Sequence, residues 1–196
     1  RQGYDVYGIE PEDWKHEFNR LKAAEKGYPT EWLQRFSYGV GEQLPYKDSS
    51  FDIISTYQTL EHVSSQQKCF HEFYRVLKKD GYLFIKCPDY RSFFEGHYKL
   101  PMLPLMDKKY FKKFLIFLNR PTGGLDRIQY ITKSTCIEML EGKYRVTDMT
   151  LKKVSEKIYQ KFHIHCELLT KIVLTAINVA NIFRKESSVN LVAIKN

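Results

Sequence analysis

The residues from Phe51 to Cys87 constrain this chain more than any others. Phe51-Asp52-Ile53-Ile54-Ser55 is a short apolar run of the kind that forms a strand, and it leads into a polar turn carrying Glu61 and His62. The spacing then predicts a helix over Gln66–Leu77, a turn at Gly81 and a second apolar strand over Tyr82–Cys87, closed by Pro88. Strand, loop, helix, turn and strand make one βαβ unit, whose crossover sets the two strands parallel. The polar turn therefore falls at the carboxyl end of a parallel strand, the edge at which open α/β sheets bind small molecules.

The flanking sequence repeats the alternation. Val6–Ile9 reads as a strand ending in Glu10, with Pro11 suited to a helix entry; Trp14, Phe18, Leu21 and Ala24 recur at helical spacing up to Gly27. Trp32, Leu33 and Phe36 suggest a further helical turn, Phe36–Val40 a weak strand, and Gly41–Ser50 a loop containing Pro45. Periodicity is lost from Pro88 to about Arg127. It returns with a helix over Lys133–Leu140, capped by Thr132 and stopped by Gly142, then a strand over Tyr144–Leu151, a long helix over about Ser155–Phe183 and a last strand over Val189–Ile194. The expectation is one α/β domain over residues 1–196, a doubly wound, mostly parallel sheet, with an insert over 88–131 lying above the ligand edge. Because the chain opens at Arg1 on a finished strand, an N-terminal truncation of that fold is also expected.

Composition narrows the class of function. The chain is 43% hydrophobic and 15% aromatic, which excludes a disordered polypeptide, and its net charge is +8. That charge suits loose attraction to phosphates, but no reader motif accompanies it, so specific nucleic-acid binding is not expected. Cys69, Cys87, Cys136 and Cys166 show no CxxC spacing; a disulfide framework or zinc site is unsupported, and a reducing cytoplasm is the expected location. The most apolar stretch, Ile172–Phe183, is too short to cross a bilayer and reads as a buried helix.

Several residues invite chemistry, each with a plainer alternative. A carboxylate at Glu10 can accept two hydrogen bonds from a ribose diol, or can sit at a helix start where the dipole favours it. Gly39, Gly41 and Glu42 form either a close-approach loop for a flat ligand or an ordinary tight turn. Asp52 is expected to be structural, and Glu72 with Arg75, three apart on one helix, an ion pair. His62 is a candidate general base, or else a capping or core histidine. His163 and His165 fall on different helix faces, and no residue set has metal-ligand spacing.

In order along the chain, Gly3 to Glu10, the run Gly41-Glu42-Gln43-Leu44-Pro45-Tyr46-Lys47-Asp48-Ser49-Ser50-Phe51-Asp52, and Leu60-Glu61-His62-Val63 followed by Glu72 to Gly81 resemble the class I S-adenosylmethionine-dependent methyltransferases, in the ubiquinone/menaquinone-type small-molecule branch. The resemblance runs to about Asp89 and implies a Rossmann-like sheet with an antiparallel last strand. It implies S-adenosylmethionine as cofactor, with Glu10 on the ribose, Gly41 and Glu42 flanking the adenine, and Tyr57 and Gln58 lining the methionine end. Val40 stands where the family has an acid for the adenine amino group, and the family's first strand and glycine-rich loop are not in this sequence. His62 is then the first candidate base, with His97 and Tyr98 of the insert next. The implied acceptor is a small molecule or saccharide-type intermediate. A degenerate methyltransferase fold serving as a binding module is the alternative, and a nicotinamide dehydrogenase a more distant one. In the insert, aromatic residues from Tyr90 to Tyr98 either pack a lid or line an acceptor pocket. Lys108, Lys109, Lys112 and Lys113 alternate with Tyr110, Phe111, Phe114 and Leu115 as in a basic amphipathic helix, suited to a solvated face or to a membrane surface or lipid-linked acceptor.

Overall fold

The computed structural model describes residues 3–149 and 188–196. The long helix expected over about 155–183, with His163, His165 and Cys166, lies outside those residues, as does the end of the strand expected over Tyr144–Leu151.

The βαβ unit forms as its sequence dictates. Strand β3 (Phe51–Tyr57), helix α2 (Gln66–Val76) and strand β4 (Leu77–Pro88) follow one another, and β3 pairs parallel with β4, Ile53 opposite Tyr82 and Tyr57 opposite Lys86. Helix α2 starts at Ser65, whose side chain accepts the Lys68 amide at 3.4 Å. It buries Cys69, Phe70, Phe73 and Val76, spaced for one face, and each large apolar side chain so buried is worth about 1.5–3 kcal/mol. The expected turn before β4 is instead absorbed into that strand as a register irregularity, with Asp80 in the left-handed region at φ 57°. Gly81 belongs there because an added Cβ would stand 2.9 Å from both Leu77 Cγ and the Lys78 carbonyl.

The final strand, β8 (Ser188–Lys195), inserts antiparallel between β4 and β7 (Tyr144–Asp148), giving the order β3-β4-β8-β7. Leu83, Ile85 and Cys87 of β4 and Val189, Leu191 and Ala193 of β8 alternate onto one buried face. Lys195 closes the end of the crossover helix by donating to the Tyr74 and Leu77 carbonyls, each at 2.7 Å.

The N-terminal strands depart from a single continuous sheet. Strand β1 (Gly8–Glu10) pairs parallel only with β2 (Phe36–Tyr38), and helix α1 (Asp13–Glu25) and a 3-10 helix (Thr30–Arg35) connect them. No described strand bridges β1 to β3. A cavity separates the two strands, and Ile53 of β3 is 59% exposed. The insert is more regular than its sequence suggests. It holds a hairpin, β5 (Phe94–Glu95) with β6 (Leu100–Pro101), then helix α3 (Lys108–Phe117) and a 3-10 turn (Leu125–Arg127). Asp107 caps α3 by accepting the Lys109 amide at 2.8 Å, while Phe111 and Leu115 anchor it in the core. Helix α4 (Lys133–Leu140) begins in a capping box between Thr132 and Thr135, as the sequence indicates.

Candidate functional site

The space between β1 and β3 is a cavity of about 900 Å³. Cavities that bind cofactor-sized ligands run to roughly this size. Its walls come from the carboxyl end of β1, the loop after β2, strand β3 with the turn beyond it, and the insert. Of the predicted residues, Glu10, Gly41, Glu42, Gln58, His62, His97 and Tyr98 all line it.

Glu10 stands at the end of β1, where its Oε1 accepts the Glu12 amide at 3.2 Å and the Lys15 ammonium at 3.1 Å. Lys15 also lines the cavity, a role no sequence pattern marks, because one lysine on an exposed helix has no distinctive spacing. Glu42 is fixed from the other side: its Oε1 accepts the amides of Ser64 at 2.5 Å and Ser65 at 3.1 Å, at the start of α2. Gly41 packs so closely on α2 that a Cβ would lie 3.0 Å from Cys69 Sγ. Its lack of a side chain thus serves helix packing as well as the cavity wall.

Tyr57 is not brought to the cavity. Side chains alternate along β3, so Thr56 turns inward and Tyr57 is exposed, with the Lys86 ammonium 4.8 Å from its ring centroid. Thr56 lines the cavity instead, and its buried hydroxyl has no hydrogen-bond partner. Gln58 follows in the left-handed region at φ 53°, with its amide donating to the Lys86 carbonyl at 2.8 Å.

Beyond β3 the turn meets the insert. His62 Nε2 and His97 Nε2 are 3.2 Å apart, and His97 Nδ1 is 2.8 Å from Glu95 Oε1. Glu95 is buried, and its second oxygen accepts the Tyr98 amide at 2.6 Å. The hydrogen bond to Glu95 raises the His97 pKa, whereas burial, with His97 next to it, lowers that of His62. Behind the pair lies Glu61, fully buried, with neither carboxylate oxygen hydrogen-bonded; burial raises its pKa. Glu95 was not singled out in the sequence, although its place two residues before His97 was a usable signal. Tyr98 packs at the same wall, and burial raises its pKa.

Residues 1–85 match the family model described as "Methyltransferase domain". Over these residues the chain is similar to the class I, S-adenosylmethionine-dependent methyltransferases of the small-molecule type. The chain is 37% identical over 86 residues to an uncharacterized methyltransferase, YcgJ, of Bacillus subtilis (strain 168), a match covering 44% of this chain and 28% of that protein. It is 25% identical over 141 residues to the ubiquinone biosynthesis O-methyltransferase of Photorhabdus laumondii subsp. laumondii, covering 72% of this chain and 53% of that one. The chain thus spans only 28% and 53% of the lengths of these two curated relatives. The crystal structure of YcgJ superposes with a TM-score of 0.51 at 20% identity, over 96% of this chain and 79% of that one. That likeness extends the methyltransferase fold from the matched residues across the insert and the closing strands. The antiparallel β8 between β4 and β7 matches what the resemblance implies.

Proposed function

We propose that this chain is part of a methyltransferase that binds S-adenosylmethionine and directs its methyl group to a small-molecule or saccharide-type acceptor. The observation that carries the reading is that Glu10, the Gly41–Glu42 loop and the His62–His97–Tyr98 wall all open onto one cavity. Glu10 is suited to hold a ribose diol, Gly41 and Glu42 to border the adenine, and the partnerless Thr56 hydroxyl and Gln58 to meet the methionine end. The cofactor supplies an activated methyl on a sulfonium; the protein's task is alignment and exclusion of water.

His62, His97 and Tyr98 form the acceptor end in this reading. They orient the acceptor and take up its proton, and Glu95 fixes the His97 ring from behind at 2.8 Å. Residues 88–131 act as the lid over that end, held to the core by Phe111 and Leu115.

The outer face of α3 supports a peripheral membrane contact or a lipid-linked acceptor. Tyr110, Ile116 and Phe117 are exposed, Phe117 at 83%, beside Lys109 and Lys113. Apolar tips rimmed by lysines suit an anionic bilayer surface. Among the described residues no helix is long and apolar enough to cross a membrane. A reducing, cytoplasmic setting belongs to the same reading, supported by the free buried thiols of Cys69, Cys87 and Cys136.

Calorimetry with S-adenosylmethionine on the full-length protein tests the central claim. Saturable one-to-one binding is expected. An absence of binding would leave the fold as a non-catalytic module.

A further inference from the structure

We propose that Glu61, His62 and His97 form a site for a divalent transition-metal cation of the zinc type, open to the cavity. One ligand atom from each lies within 4.8 Å of the others, the only such group among the described residues. Two nitrogens that each sit about 2.0–2.1 Å from one tetrahedral cation are about 3.3–3.4 Å apart. The Nε2 atoms of His62 and His97 are 3.2 Å apart, so both are already at bite distance. The two rings are nearly perpendicular, at 86°, so they converge edge to face and do not stack.

Two further observations point to a ligand rather than to a bare imidazole pair. The Glu61 carboxylate is fully buried and its two oxygens have no partner, an arrangement that is costly unless a proton or a cation neutralises it. Glu95 accepts from or orients His97 Nδ1 at 2.8 Å, which leaves Nε2 as the nitrogen that faces His62. A carboxylate behind a ligating imidazole is the usual outer-shell support of such centres. Glu61 closes the site from the core side, while His62 and His97 line the cavity. Two imidazoles and one carboxylate, with a fourth position left open, form a donor set suited to zinc.

The consequence for chemistry rests on the methyl-transfer reading, whereas the metal site does not. A cation in this position would hold an acceptor oxygen and favour its deprotonated form, and His62 and His97 would then serve as ligands instead of proton acceptors. The pattern was invisible in the sequence because His97 lies 35 positions from His62.

The test is titration of the metal-stripped full-length protein with Co²⁺, read by visible absorption, and with Zn²⁺, read by calorimetry, both without S-adenosylmethionine. One equivalent per chain is expected, with a tetrahedral Co²⁺ spectrum that Zn²⁺ abolishes. His62→Ala, His97→Ala and Glu61→Gln should each weaken binding at least tenfold, and Glu95→Gln about 10- to 100-fold through loss of ring support. Thermal melts of the metal-free variants separate lost ligation from lost folding. Substoichiometric uptake by the wild type, or equal affinity in a folded His97→Ala variant, overturns the proposal. Because the readout is the metal alone, failure here leaves the cofactor calorimetry standing, and the reverse holds as well.

Discussion

Arg75 grips Glu72 in a two-pronged ion pair, Nε to Oε1 at 2.8 Å and Nη2 to Oε2 at 2.7 Å, and the pair ties the loop before β3 to helix α2. Glu72 also accepts the Leu44 amide at 2.7 Å, while Arg75 donates to the Tyr46 carbonyl at 2.7 Å and the Leu44 carbonyl at 3.0 Å. The loop so held carries the cavity wall at Gly41 and Glu42. Glu72→Gln is expected to destabilise the protein by about 1.5–3 kcal/mol, the range for hydrogen bonds to a charged group. Arg75 holds the Glu72 pKa below its ordinary 4.5. A depressed carboxylate contributes stability that is present above 4.5 and lost as the pH falls through its folded value. Urea midpoints of wild type and variant should therefore differ at pH 7 and converge as the pH falls well below 4.5. A difference independent of pH would rule out the ionised pair as its cause.

Gly81→Ala tests the irregular start of β4. The new methyl would press on Leu77 Cγ and the Lys78 carbonyl at 2.9 Å, and Leu77 is fully buried with no room to yield. A loss of about 1–3 kcal/mol is expected from overpacking. Urea denaturation showing an unchanged midpoint would mean that the strand start relaxes at little cost.

Glu10→Ala should weaken S-adenosylmethionine binding about 10- to 100-fold, as expected for hydrogen bonds to an ionised carboxylate. Lys15→Met removes the ion pair but leaves the carboxylate, and should keep or raise the affinity. Calorimetry on the two variants distinguishes a ribose ligand from a partner of Lys15. Equal affinity in wild type and Glu10→Ala would remove Glu10 from the cofactor site.

Phe117→Ser is expected to reduce binding to vesicles rich in anionic phosphatidylglycerol without changing thermal stability, since Phe117 lies at the exposed end of α3. Wild-type binding should fall as salt rises, because screening weakens the contribution of Lys109 and Lys113. Co-sedimentation checks both. A lack of wild-type binding at low salt would confine the lysines to a solvated face.

Much of the fold and part of the cavity wall are legible in the sequence. The apolar run at Phe51, the helix face of Cys69, Phe70, Phe73 and Val76, and the Thr132 cap are local patterns, and local geometry realises them directly. The place of Glu10 and His62 on the cavity wall is legible for a related reason: each lies at or just past the end of a strand, and residues there collect at one edge of a parallel sheet. Tyr57, expected at the methionine end, is exposed, whereas its neighbour Thr56 is buried at the cavity wall, because adjacent side chains of a strand point to opposite faces.

The sequence by itself determined the βαβ unit, the order of its neighbours and the methyltransferase resemblance, because these depend on periodicity and short-range spacing. Only the tertiary structure decided that β1 and β3 stand apart around a cavity, and that the insert carries Glu95 and His97 back to His62. The His62–His97 contact joins residues 35 positions apart, and it depends on how residues 88–131 pack on the core through Phe111 and Leu115, which no local pattern encodes.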